Sequence, residues 1–267
     1  MSAPSKAKAV TISRPIPLLD PVTTATRSFS LFILLTVVEK SRDVITRKSY
    51  GTPMLKLPST PISPTEFIEE WLPRALEVSA QSDEFPDLGI EFGVVLTGEG
   101  GGEWLIKVQH REAIVAAGSR DSALFTIIQS VADWRGALWE EKGGAIGKQA
   151  SRMFQPGAQR DWRPGEIGGP PAPEALEEIG KLDGLIRVCV TEASEIDWAV
   201  DFKVGSGPIP EEPSAILEVT AEDAEAMENG DLDPLDAFLG GKMLVTGDMA
   251  LVMQIQAIQM QAAQGAF

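Results

Sequence analysis

One cysteine and one histidine occur among 267 residues, and each scarcity removes a class of chemistry. A lone Cys189 cannot form an internal disulfide, which suits a reducing, cytoplasmic setting. Its context, LIRVCVT, is that of a thiol buried in a strand. A lone His110, with no cysteine pair to help it, makes a zinc site implausible, so no metal is expected. It stands beside Arg111 and Glu112, where a polar turn accounts for it. No nucleophile and base share a telling spacing, so no catalytic residue is assigned. A non-enzyme without a cofactor is the expectation. The longest apolar run, Leu31 to Val38 with Phe29 nearby, is far short of the ~20 residues a spanning helix needs, so a soluble body is expected.

Basic residues are also in short supply, 23 against 39 acidic ones, giving a net charge of −16. The imbalance is uneven. Residues 1–64 hold nine Lys/Arg against three acids, or +6, which leaves 14 against 36, or −22, for the remainder. A body that acidic repels phosphate backbones, so nucleic acid is not an expected partner. Anionic bilayers are repelled for the same reason, and membrane contact is expected to be transient at most.

Residues 1–63 read as a basic N-terminal extension, rich in Ser, Thr and Pro and lacking a sustained helical period. Composition admits a targeting presequence, a disordered arm with a sticky segment at 28–38, or an upstream extension with Met54 near the natural start. The last two together fit best, because SPTEFIEEW reads as a fresh helix start. Thr65 is the expected cap of a helix over Glu66 to Val78, kinked by Pro73.

Strands are expected at Leu88–Leu96, Trp104–Val108, Ala113–Ala117 and Ser122–Ile128, by alternation. The glycine tract GEGGGE between the first two is a hairpin turn. It lacks the Lys-Ser/Thr and following helix of a phosphate cradle. Ser130 and Asp133 form a capping box for a helix over Val131 to Trp139. Residues 64–155 thus form one domain, and 156–173, dense in Pro and Gly, a linker.

Residues 174–267 repeat the order. A short helix at Glu174–Lys181 precedes strands at Leu185–Glu192, Ile196–Val204 and Ser214–Val219. Thr220 and Asp223 make a second capping box, for a helix closed by Gly230. Both halves start their second strand with an acid and a tryptophan, Glu103-Trp104 and Asp197-Trp198. Aligning the third strands takes a slip of about two residues, so periodicity alone leaves the duplication open. The acids of AEDAEAMENGDLD lack calcium-loop spacing and read as a solvated helix face.

The end of the chain is the most distinctive part. Asp233-Pro234 opens a short helix that Gly240-Gly241 ends. A strand follows over Lys242–Thr246, and Gly247-Asp248 caps a final helix. On a wheel of ~100° per residue, Met249, Val252, Met253 and Met260 share one arc, and Leu251, Ile255 and Ile258 another. Gln256 falls inside the methionine arc. The plain reading is a helix packed on both sides, in a core or a homodimer interface. The sharper one lays the Leu/Ile arc on a sheet and the methionines over an apolar cavity, methionine being adaptable to varied ligands.

The run GDLDPLDAFLGGKMLVTGDMALVMQIQAIQ from Gly230, with the strand beginning Asp197-Trp198 before it, resembles the sterol carrier protein 2 family over residues 184–267. The resemblance implies a mixed α+β fold, about five mostly antiparallel strands covered by helices. It implies an apolar tunnel for a fatty acid, acyl-CoA or sterol-like lipid. By position, Trp198, Val200 and Phe202 would face the tunnel, and Phe238, Met243, Met249, Val252, Met253 and Gln256 would line or gate it. Residues 65–150 resemble the same domain more loosely, as a degenerate copy without the tail, so two tandem domains are expected. The function implied is lipid binding or transfer without catalysis. The alternative is an interaction or dimerisation module with a collapsed tunnel.

Overall fold

The computed structural model describes residues 56–80, 90–109, 112–118, 120–147, 173–193, 195–229 and 231–263. The expectations for residues 1–55, His110, the bulk of the Pro/Gly linker and Gly230 lie outside the described residues.

Chain order begins with a helix that changes register. A π-helical stretch at Glu66–Trp71 runs into α1 at Leu72–Ala80. The Leu72 N–H donates to the Phe67 carbonyl, five residues back. Pro73 has no N–H for the usual bond to Glu69, and the wide turn just before it takes up that mismatch without a sharp break. The cap is Ser63, whose hydroxyl accepts from the Glu66 N–H at 3.2 Å. Thr65 already has helical angles and makes no side-chain cap. Pro64 explains the shift, since proline is favoured at the first helical position and so puts the cap one residue earlier. The folded part also starts before residue 64. Leu57 and Ile62 pack on the adjoining core, and the Trp139 indole donates to the Pro58 carbonyl at 2.7 Å.

Among the described residues eight strands follow: β1 Ile90–Thr97, β2 Gly102–Gln109, β3 Glu112–Ala117, β4 Phe125–Ser130, β5 Gly184–Glu192, β6 Glu195–Val204, β7 Ala215–Thr220 and β8 Met243–Gly247. Helices α2 (Val131–Trp139), α3 (Pro173–Ile179), α4 (Ala221–Asn229), α5 (Pro234–Leu239) and α6 (Met249–Ala263) alternate with them. In place of two separate sheets, the strands form one, in the order β3-β2-β1-β4-β6-β5-β7-β8. β4 and β6 join the halves antiparallel, with Phe125 opposite Val204 and Ile127 opposite Phe202.

Each half uses the same connection. β1 pairs antiparallel with β2 and parallel with β4, and α2 follows β4. β5 pairs antiparallel with β6 and parallel with β7, and α4 follows β7. Among the described residues the second half supplies four strands, where about five were expected. Its stretch after β6, GSGPIPEEPS, has three prolines that cannot donate to a ladder, and it forms a loop where the first half has β3.

Alternation along the strands places Phe92, Trp104, Ile106, Phe125, Ile186, Val188, Trp198, Phe202 and Leu217 on one face. Helices α1, α2, α3, α4 and α6 cover that face in two adjoining clusters that share Phe92. The loop after β6 lies on the other face. There Ile209 packs on Val95, Ile128 and Leu185, and the Arg120 Nη1 donates to the Gly207 carbonyl at 3.0 Å. Among the described residues, no helix is long and apolar enough to cross a membrane.

Candidate functional site

The candidate site is the apolar layer between β4–β8 and helices α2, α3, α4 and α6. Period-two alternation turns Trp198, Val200 and Phe202 of β6 into that layer, and all three are buried. Their neighbours Asp201 and Lys203 face the opposite side. Asp201 there receives both Nε and Nη2 of Arg187 at 2.7 Å.

Trp198 is held from the first half. Its indole Nε1 donates to the Asp133 carbonyl at 3.0 Å. A Cβ added at Gly143, where φ is +77°, would lie 2.6 Å from the indole ring, so the backbone of that turn rests on it. Phe202 stacks on Phe125 of β4, with ring centroids 5.7 Å apart and planes at 16°. Met243 of β8, opposite Val219, is buried, and Phe238 of α5 is half-buried.

Helix α6 departs from the expected pair of faces. Asp248 caps it, its Oδ1 accepting from the Leu251 N–H at 3.0 Å. Leu251, Val252 and Ile255 are buried in the layer together, with Ile258 partly so. Gln256 is buried beside them. Val252 therefore belongs with the Leu/Ile arc. Met253 is 57% exposed and points away from the sheet, and Met249 sits at the border. The wheel explains this. A single broad face running from Ile258 through Leu251 and Ile255 to Gln256 leaves Met253, Ala250 and Gln254 outside it. The Met260 side chain lies outside the described residues.

Two groups were missed from sequence. The first is Phe125, Ala137 and Ala145, which share one buried cluster with the β6 residues. Their signal was the Gly143-Gly144 pair, both at positive φ, which lets the chain turn close over Trp198. The second is Lys242, whose Nζ donates to Asp223 Oδ1 at 2.8 Å. Asp223 is the partner of Thr220 in the α4 capping box, its N–H donating to Thr220 Oγ1 at 3.0 Å. The Lys242 ammonium, then burial opposing it, then the Thr220 hydroxyl shape the Asp223 carboxyl, with a net shift below the usual carboxylate range. Burial pushes the Cys189 thiol up, away from the reactive thiolate.

The lining is apolar, with Gln256 the one buried polar side chain that α6 contributes among the described residues, and it offers little to orient a polar molecule. Residues 168–260 match the SCP-2 sterol transfer family. Sterol carrier protein 2 of Rattus norvegicus is 29% identical over 147 residues, covering 45% of this chain and 27% of that protein. Its Gallus gallus counterpart is 32% identical over 95 residues, covering 33% and 17%. Peroxisomal multifunctional enzyme type 2 of Mus musculus is 30% identical over 101 residues, covering 35% and 14%. The chain thus spans about a quarter or less of the length of these relatives. Among solved structures, apo sterol carrier protein 2 from Yarrowia lipolytica aligns over 34% of this chain and 77% of its own, at 18% identity and a TM-score of 0.25. Palmitated SCP2L2 from Aedes aegypti aligns over 32% and 90%, at 25% identity and a TM-score of 0.24. Residues 168–260 are an SCP-2 family domain.

Proposed function

We propose that the layer beneath β5–β8 binds one lipid, a fatty acid, acyl-CoA or sterol-like molecule, and carries it without catalysis. The observation that carries this reading is the shared orientation of the candidate residues. Trp198, Val200, Phe202, Met243, Val252 and Gln256, drawn from two strands and a helix, are all buried, and the three from β6 with Val252 fall in one apolar cluster. The names of the relatives, sterol carrier proteins among them, agree with it. Affinity would come from apolar burial at ~25 cal/mol per Å². The first half is, in this reading, a reduced second copy of the domain. The carrier meets membranes only briefly, its acidic body being repelled by anionic headgroups, and works in the cytoplasm as a monomer or homodimer.

The test is mass spectrometry of an organic extract from purified protein, with fatty-acid titration of the delipidated chain. A reproducible bound lipid and saturable rebinding support the reading, and an empty protein without affinity sinks it. One observation favours a second reading, a protein-interaction module with a collapsed tunnel. The Trp198 and Phe202 rings are already occupied by the Asp133 carbonyl and by Phe125.

A further inference from the structure

We propose that the N-terminal half builds one wall of the lipid site, through Phe125, Ala137 and Ala145, and so sets the length of chain the site accepts. This rests on the lipid-binding reading and extends it to residues outside the matched family stretch, which starts at residue 168.

Three observations place the wall. First, the sheet neighbour of β6 on the side away from β5 is β4. The flank that a further strand of the second half would close is closed by the first half instead. Second, Phe125, Ala137 and Ala145 lie in the same buried cluster as Trp198, Val200, Phe202, Val252 and Ile255. Third, residues 143–147 come down on the site itself. An added Cβ at Gly143 would meet the Trp198 ring at 2.6 Å, and one at Gly144 would meet Ala221, the first residue of α4, at 3.3 Å.

A chain lying along Trp198 and Phe202 therefore ends against protein from the first half. Ala137 and Ala145 have the smallest side chains in that wall, and enlarging either removes volume where the ligand would end. Each methylene kept out of the layer lowers affinity about fourfold.

The test uses the full chain. A fluorescent fatty acid is displaced by saturated fatty acids of increasing length, from wild type and from Ala145→Leu. The variant is expected to lose affinity for the longest acids by about fourfold per excluded methylene and to keep it for the short ones. Because Ala145→Leu can also disturb folding, wild-type protein is separately loaded with a photoreactive fatty acid and the labelled peptides are mapped. Labels within residues 120–147 support the wall. Labels confined to residues 173–263, or a folded Ala145→Leu with an unchanged length profile, overturn it while leaving the lipid reading intact. A wild-type protein that takes up no fatty acid overturns the lipid reading and this inference with it.

Discussion

The Trp198 indole donates to the main-chain carbonyl of Asp133 at 3.0 Å, tying the second strand of one half to the capped helix of the other. The corresponding tryptophan of the first half, Trp104, donates instead to Glu69 Oε1 at 2.7 Å, within its own half. The two indoles start equivalent strands and face the same side, yet one closes its own half and the other locks the halves together. Trp198→Phe keeps most of the ring and removes the donor. A loss of about 1 kcal/mol is expected in urea unfolding. Because β4 and β6 share a ladder, one cooperative transition should shift for probes in both halves. Two transitions, of which only one moves, would show that the halves unfold independently.

Burial on α6 separates Val252 from Met253, neighbours in sequence on different faces. Val252→Ala removes about two buried methylenes and leaves a cavity, so a loss of about 2 kcal/mol is expected. Met253→Glu changes an exposed side chain, and stability should stay within about 0.5 kcal/mol of wild type. Fatty-acid affinity should likewise be unchanged by Met253→Glu. A folded Met253→Glu that no longer binds lipid would return the methionine to the site.

How much of this was legible in the sequence depended on range. The side-chain cap of each box forms as read, Asp133 N–H on Ser130 Oγ at 2.9 Å and Asp223 N–H on Thr220 Oγ1 at 3.0 Å, because a cap and its partner are three residues apart. The common facing of Trp198, Val200 and Phe202 was implied by the family resemblance, and the alternation of β6 turns all three to one buried side. The merged sheet did not follow, because nothing in either strand names β6 as the partner of β4 across the long intervening chain. The exposure of Met253 was not legible for a different reason. When apolar residues ring most of a helix, periodicity cannot say which arc a sheet will cover, and contact with Gly184, where Leu251 settles, decided it.

The Asp223–Lys242 pair ties the start of α4 to the residue before β8 and gives a pH signature. The ammonium of Lys242, its hydrogen-bonding partner, holds the Asp223 carboxyl below its ordinary value of 3.8. A depressed folded-state value stabilises the fold above the unfolded value and is lost as pH falls through the folded one. The contribution should be constant at neutral pH and fade only below about 3.8. Carboxyl NMR titration should show the Asp223 midpoint rising in Lys242→Met. An unchanged midpoint would mean that the Thr220 hydroxyl holds the carboxylate by itself.

Lys203 offers the sharpest contrast between a charge and its partner. Its side chain is buried, and Nζ donates to Val204 O at 2.7 Å, Gly205 O at 3.0 Å and Ser206 O at 3.4 Å, as well as to Asp183 Oδ1 at 2.7 Å. Asp183 is 84% exposed, so solvent screens that ion pair and its removal should cost little, about 0.5 kcal/mol for Asp183→Asn. The carbonyls are another matter. They belong to the turn that launches the loop across the open face, where Gly205 sits at φ +78° with the Leu182 carbonyl too close for any Cβ. Lys203→Met fills the same volume but takes the ammonium from the buried Val204 and Gly205 carbonyls, and about 3 kcal/mol should be lost. Chemical denaturation of the two variants separates the roles. Equal losses would mean that the ion pair, and not the carbonyl cradle, keeps the lysine buried.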